Sequence, residues 1–270
     1  MGGTATAATA LVIQHGPGEG LGRWRGWLEE RGVTARVVPA HEGAVVPDRL
    51  EHPALVVLGG GYLPDDDVRA PWLPATRALV RQALTERTPV FGICLGGQML
   101  AQVAGGEVRG EHGTPEFGST RLGLRPEAED DPLFHGLPAH PRAIENHVDA
   151  VTALPPGAHW LVRGDDCPYQ AFRVGSSAWG VQFHPETTAG RVLRWDPGRL
   201  LRYGAPAPEL LHARALRDEP AATTTWRTVA HRFAGLALAA AGERAAEAPA
   251  GGHRPGGRRA GAVTRDGRDR

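Results

Sequence analysis

The chain is 270 residues long, 41% hydrophobic and 22% charged, and its 30 acidic and 30 basic side chains leave a formal net charge of zero. That length holds one large α/β domain or two small ones, the composition is that of a globular protein, and the charge balance excludes wholesale attraction to nucleic acid or an acidic membrane. Every basic residue is arginine, which excludes Schiff-base lysine chemistry, a lysine general base and a phosphate loop ending in Lys-Ser or Lys-Thr.

The first ten residues have no basic segment ahead of their short apolar run, so no secretory signal is read there; Gly2 with Thr6 meets the loose myristoylation pattern by chance. Residues 10–13 form a short apolar strand that ends in the turn-rich stretch His15-Gly16-Pro17-Gly18. A helix over 21–31 carries Leu21, Trp24, Trp27 and Leu28 at helical spacing, both tryptophans as core residues, with Gly32 at its C-cap. Strands follow at 35–38 and 54–58, the second a continuous apolar run that stops at Gly59-Gly60-Gly61. A helix at 71–86, a buried strand at 89–93 and a helix at 95–104 closed by Gly105-Gly106 complete the rhythm. It predicts an open, mostly parallel sheet with helices on both faces.

The middle of the chain breaks that rhythm. Stretches 108–125 and 158–183 hold shorter β-like runs, including 159–162, 169–174 and 178–183, expected as added, partly antiparallel strands of the same sheet. After Glu186 the pattern is helical over 191–203, 208–217 and 222–241. From Gly242 to the end Ala, Gly, Arg and Pro predominate, and disorder is expected. No apolar run reaches the roughly 20 residues that span a bilayer. Two cysteines, Cys94 and Cys167, are too few for a disulfide framework and point to a reducing, cytoplasmic setting.

The sharpest signal is Gly92-Ile93-Cys94-Leu95-Gly96-Gly97-Gln98 between a buried strand and a helix. Glycines two before and two after the cysteine allow the tight turn of a nucleophile elbow, which holds a thiolate at a helix N-terminus. The Leu95 amide is then a natural oxyanion donor, and the side-chain-free turn at Gly60 offers a second. A thiolate attacking an amide needs a proton donor for the leaving amine. Phe183-His184-Pro185-Glu186 supplies one: on an extended strand positions i and i+2 share a face, so Glu186 can orient His184.

These residues resemble the class I glutamine amidotransferase family, the triad type with a cysteine elbow. The resemblance rests on 92–98, on 183–186, on the glycine turn 59–61 and on Glu145-Asn146-His147-Val148-Asp149, and extends over about 9–240, with 187–240 as a helical extension. It is nearest to stand-alone proteins similar to the amidotransferase domain of GMP synthase. It implies a flavodoxin-like α/β fold and a glutaminase reaction without cofactor or metal. Cys94, His184 and Glu186 would be the catalytic triad, and Gly60 and Leu95 the oxyanion hole. Gln98 and the segment Asn146, His147, Val148 and Asp149 would bind substrate, largely through main-chain groups. The substrate would be glutamine or another γ-glutamyl compound, and a separate synthase could accept the ammonia. The turn after Gly60 has glycine where many members have proline, and no synthase domain, nucleotide loop or metal cluster is recognisable.

Other features read as structural. Cys167 has no histidine beside it in sequence, Asp65-Asp66-Asp67 and Glu129-Asp130-Asp131 are solvated loops, and His135 and His140 lack metal-ligand spacing. Three functional readings stay open: an amidotransferase-like hydrolase, a γ-glutamyl peptidase or hydrolase favoured by a larger pocket beside Cys94, and a non-catalytic binding or regulatory subunit, which the intact triad argues against.

Overall fold

The computed structural model describes residues 7–18 and 20–247. Five strands run parallel at its centre: β1 (Ala8–Gln14), β2 (Val33–Pro39), β3 (Ala54–Val57), β4 (Val90–Ile93) and, far along the chain, Ala178–Val181. Four others come between these last two in sequence and pair outside the main sheet: β5 (Glu107–Arg109) with β9 (Ala150–Ala153), and β6 (Glu116–Arg121) with β8 (Arg142–His147). The main sheet is completed by β7 (Gly123–Leu124), β10 (His159–Arg163) and β11 (Ala171–Val174), which makes Ala178–Val181 β12. Its order is β2-β1-β3-β4-β12-β11-β10-β7, with β12 parallel to β4 and antiparallel to β11. The expected added strands at 159–162, 169–174 and 178–183 therefore lie on the sheet. The stretch 108–125 does not, apart from β7, because β5 and β6 find partners in β9 and β8.

Buried apolar side chains sort the sheet into two faces. β3, β4 and β12 are buried at every position, as central parallel strands must be when helices cover both sides. On one face α1 (Trp24–Glu29) sets Trp24 against Phe91, with ring centroids 4.3 Å apart, and Phe233 closes the trio at 5.7 Å from Phe91. On the other face α2 (Leu73–Glu86) and α3 (Leu95–Val103) bury Leu79, Val80, Met99 and Leu100 against Leu55, Val57 and Val90. No helix among the described residues is long and apolar enough to cross a membrane.

Three sequence expectations need correction. The helical extension does not follow the expected stretches: the one at 191–203 is divided into the short α4 (Ala189–Val192) and α5 (Pro197–Arg202), and those at 208–217 and 222–241 fuse into one 40-residue helix, α6 (Pro208–Glu247). Packing carries α6 through Pro220, and past Gly242, where disorder was expected, Arg244 ties the helix to Glu51 O at 2.9 Å and Thr88 Oγ1 at 2.8 Å; residues 248–270, like Gly2 and Thr6, lie outside the described residues. Finally, Asp131 is no solvated loop residue. It is fully buried, accepts hydrogen bonds from Leu133 N at 2.9 Å and Trp179 Nε1 at 3.1 Å, and pairs with Arg173 Nε at 2.8 Å. Its partners come from β11 and β12, which no local pattern could announce. The aspartates at 66 and 67 hold Arg69 and Arg77, at 2.9 and 2.7 Å.

Pro220 is exposed on α6 and lacks the N–H that would bond the Leu216 carbonyl. Pro220→Ala is expected to stabilise the protein by about 1–2 kcal/mol, read as a higher urea midpoint at unchanged slope. A lower midpoint would mean that the helix is bent to suit the proline.

Candidate active site

Register decides where the site forms. Gly92 of β4 lies opposite Val57 of β3, and Ile93 lies opposite Val181 of β12. The residues just past these strands, Gly59 and Gly60, Cys94, and Gln182 to Glu186, therefore emerge side by side at one sheet edge, where ligands of open α/β sheets sit.

Cys94 occupies the turn between β4 and α3 with φ 50° and ψ −110°, a conformation that side-chain-bearing residues rarely adopt. Its amide donates to Val181 O at 2.8 Å. The flanking glycines are required by close approach: a Cβ on Gly92 would come within 2.4 Å of Gly96 O, and one on Gly96 within 2.0 Å of Val57 O. The Leu95 N–H, first in α3, has no intrahelical acceptor.

His184 and Glu186 meet, though not by the expected route. β12 ends at Val181, and 182–186 form a bend and turn rather than a strand. His184 Nδ1 nevertheless lies 2.8 Å from Glu186 Oε1, with both side chains buried. The turn is fixed from outside. His184 N donates to Ile144 O at 2.8 Å, Arg23 N donates to Glu186 O at 3.1 Å, and Phe183 packs on Trp226 with centroids 4.5 Å apart. Burial disfavours the imidazolium, but the Glu186 carboxylate and the neighbouring Cys94 outweigh it and hold the His184 pKa well above its ordinary value.

Gln98 Nε2 donates to Asp149 O and to Gln182 Oε1, each at 3.1 Å, and Gln182 Nε2 reaches Cys94 Sγ at 3.7 Å. A buried amide chain thus joins the 145–149 segment to the nucleophile; Gln182 carried no signal of its own in the sequence. The Asn146 side chain accepts from Arg199 Nη1 at 2.6 Å, and Asp149 Oδ1 accepts from Glu111 N at 2.9 Å. The His147 ring turns inward. Its Nδ1 meets Asp149 O at 3.0 Å, and a carbonyl can only accept, so Nδ1 carries a proton while Nε2 faces Glu116 Oε2 at 3.0 Å. Cys167 joins this buried group: ligand atoms of Glu116, His147 and Cys167 lie within 4.8 Å of one another, drawn from segments too far apart for any sequence spacing to show. Burial raises the Cys167 thiol strongly, and it pairs with no other cysteine. Glu145 is fully buried beside them, and burial, then the adjacent Glu116, push its carboxyl well above the usual range.

Gly60 is wedged between His15 and Leu95: a Cβ there would stand 2.8 Å from His15 Cβ and from Leu95 Cδ2. His15, read from sequence only as part of a turn, is buried and accepts from Trp72 Nε1 at 2.9 Å on Nδ1. Burial, with His41 nearby, lowers its pKa to about 4, so it braces this loop as a neutral ring.

Two cavities open at Cys94. One of about 430 Å³ is lined by Gly60, Gln98 and the 146–149 segment. The other, about 460 Å³, is lined by Pro17, Gly18, His184, Thr187 and residues of the α4–α5 cap: Arg191, Arg194, Trp195, Asp196 and Arg199. The cap arginines carried no local motif, and only the chain's return over the sheet edge places them there.

The profile of the family described as "Glutamine amidotransferase class-I" matches residues 26–192. The GMP synthase [glutamine-hydrolyzing] of Streptococcus thermophilus (strain CNRZ 1066) is 41% identical over 101 residues, which are 36% of this chain and 19% of that protein. The protein of the same description from Thermosipho melanesiensis is 34% identical over 162 residues, 60% of this chain and 29% of that one. The chain thus spans under a third of the length of these curated relatives. Among solved structures, a glutamine amidotransferase from Thermotoga maritima superposes with a TM-score of 0.74 at 26% identity, over 84% of this chain and 98% of that one. A glutamine amido transferase from Methylobacillus flagellatus gives 0.72 at 26% identity, over 85% and 95%.

Glu145 yields a pH prediction. A carboxyl whose folded pKa is raised favours folding fully only below its unfolded value, near 4.5, and that advantage is lost as pH rises toward the folded value. Glu145→Gln should match wild type in thermal stability at pH 4 and exceed it at pH 7, the gap growing by up to about 1.4 kcal/mol per pH unit. Parallel melting curves for the two proteins across that range would remove Glu145 as a buried protonated acid.

Proposed function

The chain belongs to the class I glutamine amidotransferase family, and on that premise we propose that it hydrolyses a γ-glutamyl amide through Cys94, with glutamine as the reference substrate. The Cys94 thiolate attacks the amide carbon, and the developing oxyanion faces the N–H groups of Leu95 and Gly60. His184 delivers its proton to the departing nitrogen while Glu186 keeps the ring aligned. Ammonia or an amine leaves, and water hydrolyses the glutamyl thioester. The glutamyl half occupies the cavity beside Gln98 and Asn146, His147, Val148 and Asp149, held chiefly by main-chain groups.

One observation carries this reading. A buried imidazole, 2.8 Å from a carboxylate and with a raised pKa, shares a cavity with a cysteine sulfur held in a strained turn. That is the protonation pattern of a thiolate–imidazolium pair. The GMP synthases it resembles are described as glutamine-hydrolysing, which favours ammonia delivery to a separate synthase. The second reading, a γ-glutamyl peptidase or hydrolase, is favoured by the cavity of about 460 Å³ on the His184 side. A purely regulatory subunit has no use for the Glu186–His184 pair.

Cys94→Ser should lower glutamate release by roughly a thousandfold or more, and undiminished release would remove Cys94 from the reaction. Glu186→Gln withdraws the carboxylate that keeps His184 protonated. The alkaline limb of its kcat/KM profile should move to lower pH, with kcat reduced; an unmoved limb would assign that limb to another group.

A further inference from the structure

We propose that the cavity on the His184 side of Cys94 is a binding site for the amine half of a γ-glutamyl conjugate, and that this amine carries an anionic group, a carboxylate above all. The inference rests on the γ-glutamyl amide reading of the triad and gives it a substrate class.

Size is the first argument. When glutamine is cleaved, the group leaving toward His184 is ammonia, about as large as a water molecule, roughly 30 Å³. The cavity there is about 460 Å³, which suits an organic amine. The glutamyl half has a second cavity of about 430 Å³ on the side of Gln98 and 146–149, which meets the first at Gly60, Gly61, Cys94, Asn146 and Arg199. Cys94 lines both, and His184 only the first, so the proton donor stands where the nitrogen must depart.

Charge is the second argument. Among the described residues, the first cavity is lined by Arg191, Arg194 and Arg199, against one carboxylate, Asp196. That carboxylate is engaged at the start of α5, where it accepts from Gly198 N at 2.9 Å. Arg199 is held by Asn146 and lies over the Phe117 ring, 5.1 Å from its centroid. Among the described residues neither Arg191 nor Arg194 makes a salt bridge, whereas Arg202, a few residues on, pairs with Glu111 at 3.1 Å. Arginines that line a cavity, two of them without a salt bridge among the described residues, favour a carboxylate-bearing ligand there. No new chemistry is needed: the C–N bond breaks, the amine leaves with the His184 proton, and water takes the acyl group from sulfur.

The test compares γ-glutamyl-glutamate, γ-glutamyl-butylamide, whose amine half has no carboxylate, and glutamine as substrates of the full chain and of the double variant Arg191→Glu/Arg194→Glu. Wild type should favour γ-glutamyl-glutamate over γ-glutamyl-butylamide by about tenfold or more in kcat/KM, and the charge reversal should bring that ratio to one or below, chiefly through KM. Glutamine cleavage by wild type with neither conjugate cleaved, equal turnover of the two conjugates, or a ratio unmoved in the variant would each overturn the inference and leave the γ-glutamyl reading standing. No turnover of any of the three, with no thioester trapped on Cys94, would overturn both.

Discussion

The contact on which the site depends is the hydrogen bond from the Cys94 amide to Val181 O, 2.8 Å long, at the point where β4 and β12 run out together. It fixes the nucleophile's backbone to the strand that leads into His184, so two residues 90 positions apart share one frame. The frame is tight. A Cβ on Gly97 would come within 2.5 Å of Val181 O, and one on Gly96 within 2.0 Å of Val57 O. With no side chain between them, α3 rests directly on the backbones of β3 and β12. The helix N-terminus, the glycine loop after β3 and the turn after β12 thereby reach one small volume. The strained φ at Cys94 persists because those contacts over-determine it.

Around that frame the molecule buries many ionisable groups, and each is held in a different state. His184 is kept cationic by Glu186 and Cys94. His15 is kept neutral by burial and so supports the Gly60 loop without adding charge beside the oxyanion. Asp131 pairs with Arg173, far from the chemistry, where it ties β11 and β12 to the loop before β8. Glu145 stays protonated beneath the site, next to Glu116. An additional full charge there would act on the triad across a medium of low dielectric, so its protonation state is part of the site's electrostatics.

Much of this was legible in the sequence, for a physical reason. Elbow, glycine turn and His-x-Glu are local motifs: each lies within seven residues, and the residue types announce it. A mostly parallel sheet with helices on both faces followed from apolar runs alternating with helical spacing; the order of its strands did not. His184 and Glu186 were paired correctly on the wrong geometry, since a turn held by Arg23 and Ile144 does what an extended strand was expected to do. What stayed hidden is what needs the third dimension. Asp131 looked like part of an acidic loop until Arg173 and Trp179 closed on it; Gln182 and His15 have no motif; and the cap arginines were indistinguishable from the other 27 of the 30 in the chain until α4 and α5 folded over the cavity. Helix propensity divided α6 at its proline, and burial of one continuous face overrode it.

That helix belongs to two apolar clusters, and the division falls at Pro220. Leu211 and Ala215 pack with Ala189, Val192 and Leu200 of the cap in a small cluster, whereas Ala222, Trp226, Val229 and Phe233 belong to the large core on the α1 face. The cap is therefore attached to the molecule through its own minor core, at a helix joint lacking one hydrogen bond. Cap and core need not open together: lifting the cap uncovers the small cluster, which reaches the body at Ile144, while β4 and β12 keep their packing in the large cores. Access to the cavity and integrity of the catalytic frame are thermodynamically separable, so that amides in 189–215 can exchange with solvent on a faster clock than those of β4 and β12.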